Sequence, residues 1–182
     1  MAWHSLLAFA PLAIMLALAA IQDLVRGRIA NWLTLVLALT GLVQSFLPGA
    51  TVAPLQSVLG LATGMGLTLG LFILGALGGG DVKLLTAAGA WLGPWLVLQV
   101  FLAAAIAGMI LVLIQAACTG RLRLLAVNTF KTIVNLLHVR QLGLAHACST
   151  GRSCRSIDKP LPYALPVLVA TLGLLLWGRA VL

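Results

Sequence analysis

The sequence predicts an all-α fold, a polytopic membrane bundle of about six transmembrane helices with one further amphipathic helix at the membrane surface. Three observations carry that expectation. The chain is 62% hydrophobic and 8% charged with a mean hydropathy of +1.15, which leaves too few charges to cover a water-facing surface. Its apolar residues come in runs that approach the roughly 20 residues needed to cross a hydrocarbon layer. Its basic residues gather between those runs, eleven Lys and Arg against three Asp and no Glu, for a formal net charge of +8. In a soluble chain that charge would suggest nucleic acid. In these loops it reads as an orientation signal and as contact to anionic lipid headgroups, with no nucleic acid as partner.

The first run, 3–21, is expected to be a retained helix and not a cleaved leader. No Lys or Arg precedes it, and Asp23, Arg26 and Arg28 follow where a small-residue cleavage site would lie. Further runs cover 32–47, 55–77, 95–118 and 161–178. A shorter one, 82–92, ends at Gly93-Pro94, a turn signal that separates it from the next. Counting it as a helix puts Arg26, Arg28, Lys83 and the seven basic residues from Arg121 to Lys159 on one face, the cytoplasmic one, with only Arg179 opposite. Omitting it would split the positive charge between the two faces.

The basic cytoplasmic loop, 119–160, is expected to carry the surface helix. Val127, Phe130, Ile133, Val134 and Leu137 share one helical face, with Asn128, Lys131, Asn135 and His138 opposite. No internal repeat is visible, so residues 1–182 form a single integral-membrane domain. Cys118, Cys148 and Cys154 are odd in number and lack Cys-x-x-Cys spacing, so they imply neither a disulfide framework nor zinc. The irregular spacing of His138, His146, Cys148 and Cys154 argues against a metal site in the same way.

Each of the three acids calls for an account, because an ionised carboxylate at the bilayer centre costs roughly 2.5 to 3.5 kcal/mol. Asp158 beside Lys159 reads as a solvated loop acid. Asp23 ends the first run and Asp81 follows the third, and the topology drawn from basic residues alone puts both at the cytoplasmic face. Taken singly, Asp23 pairs with Arg26 three residues on and Asp81 caps the short fourth helix. Taken together, these ordinary readings leave unexplained why two of three acids share one depth, one of them behind Gly78, Gly79 and Gly80. Three glycines let a backbone bend and approach a substrate strand closely. Two carboxylates brought together share a proton and titrate as a pair, as in aspartic proteases. One then acts as general base on water while the protonated partner polarises the scissile carbonyl.

The segment GGGDVKLL, 78–85, resembles the GxGDxK motif of the prepilin peptidases, a family of GxGD intramembrane aspartyl peptidases. IQDLVRGRIAN, 21–31, is similar to that family's first aspartate motif, with Ala30 where an Ile-Pro-Asn run has proline. LPYALPV, 161–167, looks like the Pro-Tyr start of its last helix. The resemblance implies an aspartyl endopeptidase of the bacterial inner membrane that removes the leader of a type IV prepilin at the cytoplasmic face, with Asp23 and Asp81 as the catalytic pair and no cofactor or metal. The chain lacks the cysteine-rich segment of the larger, N-methylating members. It therefore resembles the short peptidase-only form of tight-adherence (Flp) pilus systems, and methyltransfer is not implied. Gly78, Gly79, Gly80, Lys83, Asn31 and Tyr163 are expected to shape the site or bind substrate. Each also has an ordinary reading: Lys83 as a snorkelling lysine, Asn31 as a helix cap, Tyr163 between Pro162 and Pro166 as a packing device. The rival functions are a proton-coupled transporter, which calls for acids near the bilayer midplane, and a non-catalytic assembly protein, in which both acids would tolerate substitution.

Overall fold

A computed structural model of the chain describes residues 2–73, 77–120 and 163–180, with isolated positions at 123, 127 and 129. The expected surface helix over 127–138 lies almost wholly outside the described residues. So do Asp158, His138, His146, Cys148 and Cys154.

The described residues form helices and connecting turns, with no strand among them. In chain order these are α1 (Ala2–Arg26), α2 (Asn31–Gln44), α3 (Pro54–Ile73), α4 (Gly79–Cys118) and α5 (Ala164–Ala180). Helices α1, α3 and α4 are long and apolar enough to cross a membrane, while α2 and α5 are apolar but shorter. Helix is the form that lipid demands, since it satisfies every backbone group within the segment. The molecule is a membrane helix bundle. Leu102, Ile106, Met109, Ile110, Leu113 and Ile114 on the second half of α4 are exposed, as befits a surface that meets acyl chains.

The fourth and fifth helices expected from sequence are present as the two arms of α4, which follow one another across a kink at Gly93, φ 74° and ψ 175°, with no loop between them. Only glycine adopts that conformation readily, and Pro94 removes the N–H that Ala90 C=O would otherwise accept. The bend is satisfied from outside α4. Ser57 Oγ donates to Ala90 O at 2.7 Å, and Thr51 Oγ1 donates to Trp91 O at 3.0 Å. In apolar surroundings an orphaned carbonyl would be costly, so these two hydroxyls stabilise the bend.

Helix α4 is the centre of the bundle and packs against α2, α3 and α5. Its contact with α3 is made by small residues. The buried positions of α3 are Ser57, Gly60, Gly64 and Thr68, one stripe of the helix, and Gly60 faces Gly89 so closely that a Cβ on either would overlap the other's carbonyl oxygen. Such small-residue stripes bring two backbones into dispersion contact where lipid offers no hydrophobic driving force. The other faces carry larger side chains. Leu12, Leu16 and Ala19 of α1, Leu33 and Leu37 of α2, Leu84, Ala88 and Trp91 of α4, and Val167 of α5 form one buried cluster. Trp91 Nε1 donates to Leu37 O at 3.0 Å, tying α4 to α2.

Candidate active site

The site is assembled from four helix ends. Helix α1 runs past the expected end at 21, because nothing from Asp23 to Arg26 breaks it, and stops at Gly27. That glycine takes φ 60°, and its N–H donates to Asp23 O at 2.8 Å, a left-handed helix stop. Asp23 thus occupies the last turn of α1. The chain turns at once into α2, whose N-cap is Ala30.

The Asp23 carboxylate accepts the backbone N–H of Ala164 at 3.3 Å, across 141 positions of sequence. Ala164 is the first residue of α5, where N–H groups lack an intrahelical acceptor and the helix dipole favours an anion. The partner of Asp23 is therefore the start of α5, whereas the ordinary sequence reading had Arg26.

Asp81 lies in the first turn of α4. Its Oδ2 accepts the N–H of Gly78, the N-cap, at 3.2 Å. The three glycines do not form the bending segment expected from sequence. Gly78 is extended at φ −78°, while Gly79 and Gly80 already belong to the helix. Their lack of side chains still matters on one side, because a Cβ on Gly80 would stand 3.5 Å from Ile29 Cβ. The buried Ile29 of the α1–α2 turn rests there. Lys83 Nζ donates to Asn31 Oδ1 at 2.9 Å, joining the starts of α4 and α2 at the exposed edge.

These contacts put the end of α1 and the starts of α2, α4 and α5 together. Asp23 and Asp81 are close enough for the charge of Asp23 to act on the Asp81 carboxyl. Tyr163 completes the group. Its carbonyl accepts the Val167 N–H, opening α5, and its hydroxyl is buried with no hydrogen-bond partner among the described residues. Burial pushes the phenol up to about 12, and the charge of Asp81 adds in the same direction. The hydroxyl therefore keeps its proton at neutral pH and can act as a donor.

All the residues singled out in the sequence, namely Asp23, Asn31, Gly78, Gly79, Gly80, Asp81, Lys83 and Tyr163, belong to this cluster of helix ends. Two contributors escaped sequence reasoning. Ala164 acts through its backbone, which no residue type announces. Gln22 accepts the Ala30 N–H through Oε1 at 3.2 Å; an amide beside Asp23 at the end of an apolar run was the available signal. Among the described residues no group of three or more His, Cys, Asp or Glu could hold a metal ion.

A model of the type IV leader peptidase family matches residues 10–113. The chain belongs to that family. The match takes in Asp23, Asn31, the three glycines, Asp81 and Lys83, and it ends before Tyr163. No curated protein and no solved structure matches the chain. This member of the type IV leader peptidase family is a leader-peptidase-like protease carried on a bundle of apolar helices.

Proposed function

We propose that the chain is an intramembrane aspartyl endopeptidase, with Asp23 and Asp81 as the catalytic residues, that removes the leader of an Flp-like type IV prepilin at the cytoplasmic face of the bacterial inner membrane. The observation that carries this reading is that two carboxylates remote in sequence lie close enough for the charge of Asp23 to bear on Asp81, at adjoining helix ends within the stretch shared with the leader peptidases. A transporter's acids would lie along a path through the bilayer; these two lie at helix ends.

In the proposed reaction one carboxylate takes a proton from water as the water oxygen attacks the scissile carbonyl carbon, while the other, protonated, donates to the carbonyl oxygen. The tetrahedral intermediate collapses as the C–N bond breaks, and the leaving nitrogen takes up a proton from the pair. Tyr163 supplies a further donor toward the developing oxyanion. The exposed Gly78 and Gly79 add no side chain of their own to the rim of the site, and the Lys83–Asn31 pair braces it. The precursor is a membrane protein that docks from within the bilayer. Anionic lipid headgroups offset the positive charge of the basic loop, and the reaction needs no cofactor or metal.

The test is cleavage of a single-span, pilin-like precursor with a basic leader by the purified chain in lipid vesicles. The expected result is one cut at the leader border, unaffected by a chelator. A precursor left intact by properly inserted protein, or a cut that the chelator stops, would overturn the reading.

A further inference from the structure

The turn that separates Asp23 from α2 carries a polar contact outside the reaction described above. Ala30, the N-cap of α2, is extended at φ −68° and ψ 131°. Its N–H points away from any helical acceptor, as at every helix start, and the residue is half-buried. Gln22 Oε1 accepts that N–H at 3.2 Å. The bond closes the eight-residue step from the last turn of α1, over Gly27, to the N-cap of α2. Within that step Ile29 is buried against Gly80, the residue before Asp81. Gln22 precedes Asp23 directly. The bond therefore spans from the backbone that carries one carboxylate to the turn that bears on the backbone carrying the other.

The φ of Ala30 lies within the range of a proline ring. Proline would present no N–H there and would need no acceptor. Alanine leaves a half-buried donor and a freer backbone, and the glutamine answers both by accepting the hydrogen bond.

We propose that Gln22 is a positioning residue for the carboxylate pair, its Oε1 on the Ala30 N–H holding the 27–30 turn and with it the placement of Asp23 relative to Asp81. The proposal rests on the catalytic reading of the two aspartates. It makes a specific claim about coupling. Gln22 matters only while residue 30 carries an N–H.

Wild type, Q22A, A30P and Q22A/A30P are compared in lipid vesicles with the basic-leader precursor, and exchange of the Ala30 amide is followed without substrate in wild type and Q22A. Losing one neutral hydrogen bond predicts a kcat about five- to tenfold lower in Q22A, with KM little changed and Ala30 exchange faster by a similar factor. A30P is expected to stay within about twofold of wild type, and Q22A/A30P within about twofold of A30P, because no donor is left to satisfy. A glutamine that merely packs would cost the same in both backgrounds, and that result overturns the proposal. So does unchanged Ala30 exchange in Q22A, or a loss in KM alone. If A30P does not insert, the kcat and KM split and the exchange rate decide. An inactive wild type would instead bring down the catalytic reading and this proposal with it, whereas an active wild type with an indifferent Q22A brings down the proposal alone.

Discussion

The seam between α3 and α4 and the cluster of helix ends around Asp23 and Asp81 are held together in opposite ways. At the seam, glycines bring backbone against backbone, and Ser57 satisfies a carbonyl released by Pro94. Neither Gly60 nor Gly89 has room for a side chain, and parting the two helices there would orphan the Ala90 carbonyl. At the helix ends, single hydrogen bonds join elements far apart in sequence: Asp23 to Ala164, Lys83 to Asn31, Gln22 to Ala30. Each can open at a modest cost of about 1 kcal/mol. A closely packed scaffold thus supports a site joined by single hydrogen bonds, which suits the proposed entry of a substrate strand between helix ends. Stability and rate should therefore respond to different residues.

The largest effect is expected at the seam. Gly89→Val places a branched side chain on the Gly60 carbonyl and should destabilise the bundle by about 3 kcal/mol or more, seen as loss of folded protein in detergent. Gly66 of the same α3 has no atom within 4 Å of its Cβ position, so Gly66→Ala should leave the melting temperature unchanged or raise it slightly. Next is Tyr163→Phe, expected to lower kcat by at least about tenfold through loss of a donor to the oxyanion. Its stability should not fall at neutral pH, because the hydroxyl has no partner to lose. The folded phenol, pushed up to about 12, holds a proton that the unfolded chain releases near its ordinary value of 10.0. Wild type should thus lose stability as pH rises through that window, and Tyr163→Phe should lose less.

Ser57→Ala reverses that pattern. It leaves the Ala90 carbonyl without its donor and should cost about 1 kcal/mol in thermal or denaturant unfolding, with kcat of the folded fraction unchanged. The smallest effect is expected from Lys83→Ala. The pair with Asn31 is exposed, so a change of no more than about twofold in kcat/KM is predicted, with no measurable shift in melting. A Ser57→Ala variant that loses rate at constant stability would erase the distinction between the two regions.

What could be read from the sequence follows the same division. The apolar runs were plain because lipid imposes long helices on them, and the loop charges predicted one depth for Asp23 and Asp81, which lie at helix ends brought together in the bundle. The break expected at Gly93-Pro94 is present as a kink between the two arms of α4. A break there is visible in the residue types, but the hydroxyls of Ser57 and Thr51 that make a loop unnecessary lie about forty positions away. Gly79 and Gly80 were expected to bend the chain, yet Asp81 caps Gly78 locally and starts the helix ahead of itself. The contact of Asp23 with Ala164 had no local signal at all, since its acceptor and donor lie at opposite ends of the chain.

The central claim is that Asp23 and Asp81 act on the scissile bond together. The most direct measurement compares leader removal by wild type, D23N and D81N at equal amounts of inserted, helical protein. Both variants should lose cleavage by about 10²- to 10⁴-fold, the range of a missing general acid or base, while membrane insertion and melting stay close to wild type. Cleavage at the wild-type rate by either variant would contradict the account.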